Sequence, residues 1–183
     1  MERNPEDRRE RTMLVIRRYR EGDSRLVGIL IADTYRTFNL SEMTAEQQNA
    51  MLGPFAHARS NDPSRQREIA EALRAPSVWV AEGNGSIVGV LRGGRVDERG
   101  MTVLQSLFVS GKYHRLGIGR KLVERFEKEY TARGVTVFKL LSTLHAVPFY
   151  LSMGYRRSTG VRGIHSFDGV GLPSQPMKKV LKR

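Results

Sequence analysis

The sequence predicts a single α/β domain in which a mixed sheet carries helices on both faces. Its 183 residues are the usual size of one domain. Before residue 75 the apolar residues recur mostly at helical spacing, whereas later segments are short β-branched runs separated by glycine-containing turns. The predicted order is β-α-α-α, a three-strand meander, then α-β-α-β-β. The polar residues 1–11 are expected to form a disordered basic arm, and one domain is expected over 12–183.

The first 75 residues are predicted to contain one strand followed by three helices. Asp23 precedes apolar residues at helical spacing and is expected to be the N-cap of the first helix. Thr44 and Gln47 have the spacing of a capping box that opens the second, and Asp62-Pro63 is typical of the start of a third. The strand is predicted over 12–17, the first helix over 23–35 and the third over 62–74. The second helix is predicted to begin at 44.

The rest of the chain is predicted to be a meander followed by alternating helices and strands. Asn84 and its flanking glycines favour a hairpin turn, and Gly93-Gly94 with residues 97–100 favours the next one. Met101–Val109 is apolar on both faces, which places it centrally in the sheet. An amphipathic helix follows and is expected to end at Gly134. The predicted strands are 78–81, 87–91, 101–109, 135–141, 155–158 and 177–181, and the predicted helices are 119–133 and 148–153.

The composition excludes several classes of protein. The chain contains no cysteine, so it has no disulfide scaffold, no thiolate metal site and no cysteine nucleophile, and we expect no metal. No apolar run approaches the ~20 residues that span a bilayer, and the polar start lacks the apolar stretch of a secretory signal. We therefore expect a cytoplasmic protein that does not associate with membranes.

The net charge of +12, from 31 Lys and Arg against 19 Asp and Glu, is the unusual bulk property. Such a surface attracts polyanions, among them nucleic acid and phosphate-rich small molecules. A basic bias spread over a solvated surface explains the number equally well. Because no aromatic-rich binding strand or recognised reader motif is present, nucleic acid is not the partner that we expect.

The segment Leu104–Gly119 carries the first chemical signal. An apolar strand runs into a basic loop that places Gly117 and Gly119 at the start of an amphipathic helix. The first turn of a helix has unpaired N–H groups and about half a positive charge, and glycines let phosphate oxygens approach the backbone. The cationic residues around this turn are Lys112, His114, Arg115, Arg120 and Lys121.

Two common phosphate motifs do not fit this loop. Tyr113 follows Gly111-Lys112, which excludes a Walker loop, and Leu122 stands where a dinucleotide fingerprint has its third glycine. Taken alone, the loop also fits a tight strand-to-helix turn that binds nothing.

The segment Ala146–Tyr155, AVPFYLSMGY, supplies the second signal. By themselves Phe149 and Tyr150 fit the core of a short helix that ends at Gly154. Together with the loop, however, the segment resembles the GNAT superfamily of acyl-CoA-dependent N-acetyltransferases. The family's pattern Arg/Gln-x-x-Gly-x-Gly/Ala, which binds the pyrophosphate of acetyl-CoA, corresponds to His114–Gly119. Its pattern Ala-x-x-Phe-Tyr-x-x-x-Gly-Phe/Tyr is matched here at every named position.

The resemblance covers roughly residues 13–181 and implies a mostly antiparallel central sheet of about six to seven strands. It also implies an N-acetyltransferase with acetyl-CoA as co-substrate, in which an amine attacks the thioester directly. A backbone N–H near Phe108 or Val109 would bind the oxyanion, and Tyr150 would protonate the leaving thiolate. The implied cofactor-binding residues are Leu107, Phe108, Val109, His114, Arg115, Leu116, Gly117, Ile118, Gly119, Arg120, Thr143, Ala146 and Phe149.

Two positions depart from the family pattern. His114 replaces the long Arg or Gln donor, although Arg115 beside it can compensate. Thr143 replaces a common asparagine, so the contacts to the pantetheine arm are expected to differ.

The general base and the acceptor are not identified by the sequence. Gln105 and Ser106 are not bases, and His145 fits a proton relay and a purely structural role equally well. Carboxylates at turns are expected to be solvated surface groups; these are Glu82, Asp97 and Glu98. Three aromatic residues fit either an acceptor pocket or ordinary core packing: Tyr35, Phe38 and Phe55. Further candidates for contact with the substrate lie in a late loop: Arg162, His165 and Asp168.

The expected partner is a small-molecule or peptide amine, and the resemblance is compatible with a homodimer. Two alternatives remain open. A non-catalytic acyl-CoA-binding or regulatory module would keep the phosphate loop without turnover, and a nucleic-acid-binding protein would account for the charge alone.

Overall fold

The computed structural model describes residues 14–165 and 171–181. The expected arm, the start of the first predicted strand and Asp168 lie outside these residues. The strands are β1 (Leu14–Arg18), β2 (Ser77–Gly83), β3 (Ser86–Val96), β4 (Met101–Val109), β5 (Val137–Thr143), β6 (Arg156–Arg157), β7 (Arg162–His165) and β8 (Gly171–Val180). The helices are α1 (Ser24–Asn39), α2 (Ala45–Leu52), α3 (Pro63–Ala72), α4 (Ile118–Thr131) and α5 (Val147–Ser152).

Within these residues the strands form one sheet in the order β1-β2-β3-β4-β5-β8-β6, with β7 paired to β8. Each pair is antiparallel except β4 with β5. This confirms the predicted mixed, mostly antiparallel sheet and the central position of β4. The eight described strands exceed the expected six to seven because β7 lies in the predicted late loop, where β8 also begins, at Gly171.

Two apolar clusters cover the two faces of the sheet. The α4 cluster contains Ile118, Leu122, Phe126 and Tyr130, which recur every four residues along this helix and are all buried. The α1–α3 cluster buries the inner faces of the first three helices, including Ile69. Full burial of a large apolar side chain contributes about 1.5–3 kcal/mol, so these clusters hold the helices on the sheet. None of the helices described is long and apolar enough to cross a membrane.

Several helix ends follow from local hydrogen bonds that the sequence predicts. Thr44 Oγ1 accepts from the N–H of Gln47, and the Gln47 amide accepts from the N–H of Thr44, so the capping box is confirmed. Asp62 accepts from the N–H of Ser64 at 2.8 Å at the start of α3. Gly134 adopts a left-handed φ of 84° after α4, as a C′ glycine does.

The prediction for Asp23 is wrong in its chemistry. Asp23 occupies the N-cap position of α1, but its side chain makes no capping bond. It instead accepts two bonds from Arg17, at 2.7 and 2.9 Å, and one from the N–H of Arg20. Arg17 lies on β1, six residues before Asp23, and binds the carboxylate in place of the helix N-terminus. Two charge-assisted hydrogen bonds are stronger than one neutral capping bond.

The prediction that Gly93-Gly94 forms a turn is also wrong. Both glycines lie inside β3, and the turn is formed by residues 97–100 alone. Gly94 has φ of 103°, and a Cβ at this position would overlap the hydroxyl of Tyr130. The two glycines therefore allow an irregular strand to pass close to α4 and β4.

The strands β4 and β5 separate halfway along their length. Their parallel pairing ends at Leu104 with Leu140. At the same point the β3–β4 register shifts: Arg92 pairs with Ser106 but Gly93 pairs with Leu104, which leaves Gln105 as the extra residue of a bulge. The second half of β4 therefore has a free edge on the side of β5.

Candidate functional site

The separation of β4 and β5 opens a cleft of about 880 Å³. Its walls come from α1 and the end of α2, from residues 104–109 of β4, from 113–120 of the following loop and helix, and from 141–150. Every site residue predicted from the sequence lines this cleft except Leu116, whose side chain points outward and is 60% exposed.

The loop before α4 presents a run of unengaged backbone donors to the cleft. Within the described part of the chain, no protein group accepts a hydrogen bond from the N–H groups of residues 115–120. Two left-handed residues shape the loop, Arg115 with φ of 62° and Gly117 with φ of 76°. A Cβ at Gly117 would meet no atom within 4 Å, so the space in front of this residue is open. Free N–H groups and an open approach at the N-terminus of a helix are the features with which such loops bind anions.

The free edge of β4 supplies further donors. The N–H of Ser110 donates to Val88 O at 2.9 Å, on the side of β3. Because successive N–H groups of a strand point to opposite sides, Phe108 also donates towards β3, whereas Leu107 and Val109 direct their N–H groups into the gap.

Tyr150 lies in the wall of the cleft and is only 6% exposed. Its ring packs edge-on against Phe149 and Tyr155, with centroid distances of 5.0 and 5.7 Å. Burial raises the pKa of Tyr150 above its usual value, so the phenol keeps its proton at neutral pH. Its hydroxyl makes no hydrogen bond to any described residue, which leaves that proton available to a group in the cleft.

An aromatic stack connects the two loops on either side of the gap. Phe38, near the end of α1, stacks on His114 at 4.9 Å and on His145 at 6.1 Å between ring centroids. The Nε2 atom of His114 lies 2.9 Å from Val109 O, and Thr143 Oγ1 lies 3.3 Å from Nδ1 of His145. Burial and the neighbouring His114 lower the pKa of His145, so this imidazole is neutral at pH 7.

The cleft is positively charged. Its described lining includes Arg92, Arg115 and Arg120 but neither an aspartate nor a glutamate. Only Arg120 has a carboxylate nearby, that of Glu124 at 3.8 Å on the exposed side of α4. Among the residues that the structure describes, no three possible ligands are grouped as a metal site.

Comparison with known proteins identifies the family of the chain. The family model for the acetyltransferase (GNAT) domain matches residues 39–181. The chain belongs to this family. No curated protein sequence gives a significant match.

Solved structures share the GNAT fold at low sequence identity. A GCN5-related N-acetyltransferase from Rhodopseudomonas palustris has a TM-score of 0.72 and 20% identity, covering 91% of this chain and 95% of that one. The PaiA N-acetyltransferase of Thermoplasma acidophilum, solved in complex with coenzyme A, has a TM-score of 0.66, 13% identity and coverages of 91% and 98%. The ribosomal-protein-S18-alanine N-acetyltransferase of Escherichia coli has a TM-score of 0.62, 18% identity and coverages of 93% and 96%.

The turn carboxylates of this GNAT domain lie outside the cleft. Glu82 binds Arg17 at 2.8 Å, and Asp97 binds Lys139 at 3.1 Å. Glu98 is exposed in the turn between β3 and β4. The late-loop residue Arg162 donates to Thr159 at 2.9 Å and is also absent from the lining, whereas the His165 side chain and Asp168 are not among the described groups.

Among the residues of the cleft that sequence reasoning missed, Arg92 is the charged one. It is half-buried, lines the cavity and contacts neutral oxygens rather than a carboxylate. The available signal was a single charged residue at the end of the apolar run IVGVL, a pattern that also fits an ordinary strand end.

Proposed function

We propose that this GNAT domain transfers the acetyl group of acetyl-CoA to a primary amine by direct attack within a ternary complex. The observation that carries the proposal is the run of unengaged N–H groups at residues 115–120 beside the open edge of β4. The first can hold a pyrophosphate, and the second can pair with an extended pantetheine arm as an added strand would. We also propose that the protein is cytoplasmic, as its lack of cysteine leads us to expect.

The free edge of β4 orients the thioester. The N–H groups of Leu107 and Val109 point into the gap, and we propose that one of them is the oxyanion donor. The alternation of the strand favours Val109 over Phe108, because the N–H of Phe108 is directed to β3. A fixed backbone donor stabilises the negative charge that develops on the carbonyl oxygen during attack.

In the chemical step, the amine nitrogen forms a bond to the thioester carbonyl carbon, and the carbon–sulfur bond breaks as the tetrahedral intermediate collapses. Tyr150 gives its proton to the leaving sulfur, and the acylated nitrogen releases the proton that balances it. The phenol of Tyr150 is protonated at neutral pH, so it has a proton to give. The products are the amide and free coenzyme A.

The proton leaving the amine needs an acceptor. The described lining offers no carboxylate for this purpose. The imidazole of His145 is neutral at pH 7 because its pKa is lowered, so it can accept a proton directly or through water.

The missing carboxylate also favours a second candidate, a module that binds acyl-CoA without turning it over. Two measurements separate the candidates. Titration calorimetry with acetyl-CoA tests binding, and release of free coenzyme A is then followed over a panel of amines, polyamines, aminoglycosides and peptides. Amine-dependent release supports the transferase, and binding without release supports the module. If acetyl-CoA does not bind at all, both are overturned.

A further inference from the structure

Arg92 is a charged side chain in the wall of the cleft. It lies on β3 opposite Ser106 of β4. Val90, two residues before Arg92 on β3, and Phe108, two residues after Ser106 on β4, belong to the α1–α3 cluster. Alternate residues of a strand share a face. Arg92 therefore faces α1–α3, whereas the phosphate loop begins α4, whose cluster covers the opposite face.

The hydrogen bonds of Arg92 leave its charge without a counterion. Its Nε donates to Ser106 Oγ at 3.0 Å, and one Nη donates to the carbonyl oxygen of Ala72 at the end of α3. Both acceptors are neutral, and no described Asp or Glu forms an ion pair with it. The second Nη has no partner among the described residues.

Arg92 differs in this respect from Arg17, another partly buried arginine. Burial lowers the pKa of Arg92, which reflects the cost of holding a charge away from water. Arg17, also partly buried, is neutralised by Asp23 and Glu82. The other two arginines of the described lining, Arg115 and Arg120, are exposed to solvent, whereas Arg92 is half-buried. The group that would neutralise Arg92 is therefore an anion from outside the chain.

The walls around Arg92 are mostly apolar, with polar groups from Thr34, Gln105 and Ser106. The lining on this side includes Ile31, Leu52, Phe55 and Phe108, and the ring of Tyr35 packs edge-on against Phe108 at 5.8 Å. A chamber with mostly apolar walls and a single cation recognises a small molecule that has an apolar body and one anionic end.

We propose that the acceptor amine carries a carboxylate and that Arg92 binds this carboxylate. The inference rests on the proposed transferase function and names its substrate class: an amino acid or a similar amino-carboxylate with an apolar body. The free Nη2 hydrogens of the guanidinium form charge-assisted bonds with carboxylate oxygens. Polyamines and aminoglycosides are poor acceptors on this basis, since the described lining has no carboxylate to hold a second ammonium group.

The first experiment measures binding and does not depend on turnover. Calorimetry compares 3-phenylpropanoate with 3-phenylpropanamide, which share one shape and differ in charge. Saturating coenzyme A is included in one series, so that the carboxylate cannot use the phosphate loop instead. We expect the carboxylate to bind about ten- to a hundred-fold more tightly than the amide. Equal affinities, or no binding of either probe, overturn the proposal.

Substitutions test whether Arg92 causes the tighter binding of the carboxylate probe. Arg92→Gln is expected to remove the difference between the two probes. Arg95→Gln is the matched control, because Arg95 is an exposed arginine of the same strand and is absent from the lining. Since Arg92 also binds α3, Arg92→Lys is measured in parallel; it keeps the cation and is expected to keep a weaker preference. A preference that survives Arg92→Gln overturns the assignment.

The second experiment uses acetylation. Each amino acid is paired with its decarboxylated amine, for example phenylalanine with phenethylamine and lysine with cadaverine, and kcat/KM is compared. We expect higher values for the amino acids. Equal or higher values for the amines overturn the carboxylate proposal and leave the transferase intact. If no amine is acetylated but the probes still discriminate through Arg92, the transferase function fails and the carboxylate site stands.

Discussion

Gly119 and Phe149 are in direct contact across the cleft. A Cβ at Gly119 would lie 3.3 Å from Cζ of Phe149 and 3.4 Å from Cε2. The first turn of α4 and the helix α5 are therefore close enough that a side chain at position 119 would press on the Phe149 ring. This contact joins the two sequence motifs, because the glycine of one makes room for the aromatic ring of the other.

Replacing Gly119 tests this contact. Gly119→Val is expected to displace the Phe149 ring and to lower the free energy of unfolding by about 1–3 kcal/mol, as overpacking does. The smaller side chain of Phe149→Leu relieves the overlap, so the two changes together cost less than their sum. Urea denaturation of the two single variants and the double variant measures the coupling. Strictly additive costs would show that the contact does not constrain position 119.

Gly117 has a different role. Its φ of 76° gives the loop its shape, and the open space around it leaves room for a ligand to approach the backbone. Gly117→Glu would place a carboxylate beside the N–H groups that we assign to the pyrophosphate. We expect acetyl-CoA to bind at least about ten-fold more weakly, because the new anion competes for the same donors.

Gly100 provides the matched control for that change. It has φ of 71°, a Cβ there would also meet no atom within 4 Å, and it lies in the β3–β4 turn away from the cleft. Gly100→Glu therefore carries a similar backbone strain, of about 1–2 kcal/mol, and the same charge. Calorimetry should show unchanged affinity for acetyl-CoA. An equal loss in both variants would mean that strain or charge, rather than the loop, is responsible.

Much of the fold could be predicted because local signals and tertiary structure agree. The bounds of β4 match the prediction, since a run of apolar residues ends in a polar loop at Ser110. The capping box of Thr44 and the glycine at 134 depend on neighbours along the chain and were confirmed for the same reason.

The errors occur where partners distant in sequence decide the outcome. Gly93-Gly94 is typical of a turn, but contact with Tyr130 makes it a strand irregularity. The Asp23 carboxylate is captured by Arg17 on the first strand. The pattern gave no sign of the acceptor-side role proposed for Arg92, because its burial depends on how three helices pack on the sheet.

Tyr150 and its neighbour Tyr155 offer a test of general-acid catalysis. Tyr150→Phe removes the hydroxyl with little change in shape, so kcat is expected to fall by about 10²–10⁴-fold while the dissociation constant of acetyl-CoA stays the same. Tyr155 is buried, packs on Tyr150 and is absent from the cleft lining. Tyr155→Phe should therefore leave kcat unchanged. Steady-state kinetics and calorimetry on both variants check this, and an unaltered kcat in Tyr150→Phe would remove the acid role.

The Arg17–Asp23 pair predicts how stability depends on pH. The hydrogen bonds from Arg17, opposed by burial and assisted by the N–H of Arg20, hold the pKa of Asp23 below its usual value. A carboxyl whose pKa is lower in the folded state stabilises the fold above its unfolded pKa, near 3.9, and loses that contribution as the pH falls through the folded pKa. Asp23→Asn is thus expected to lower the free energy of unfolding by about 1.5–3 kcal/mol at pH 7.

Asp33, which pairs with Arg59, serves as the exposed comparison for Asp23. Its side chain is 51% exposed and that of Arg59 58%, against 12% for Asp23, so Asp33→Asn should cost less than about 1 kcal/mol. Urea denaturation from pH 7 to pH 3 measures all three proteins. The deficit of Asp23→Asn relative to the original chain should begin to shrink below about pH 4, where the carboxyl of the unfolded chain takes up a proton, and should keep shrinking as the pH approaches the lower pKa of the folded state. A deficit that stays constant down to pH 3 would show that shape and packing, not charge, account for the role of Asp23.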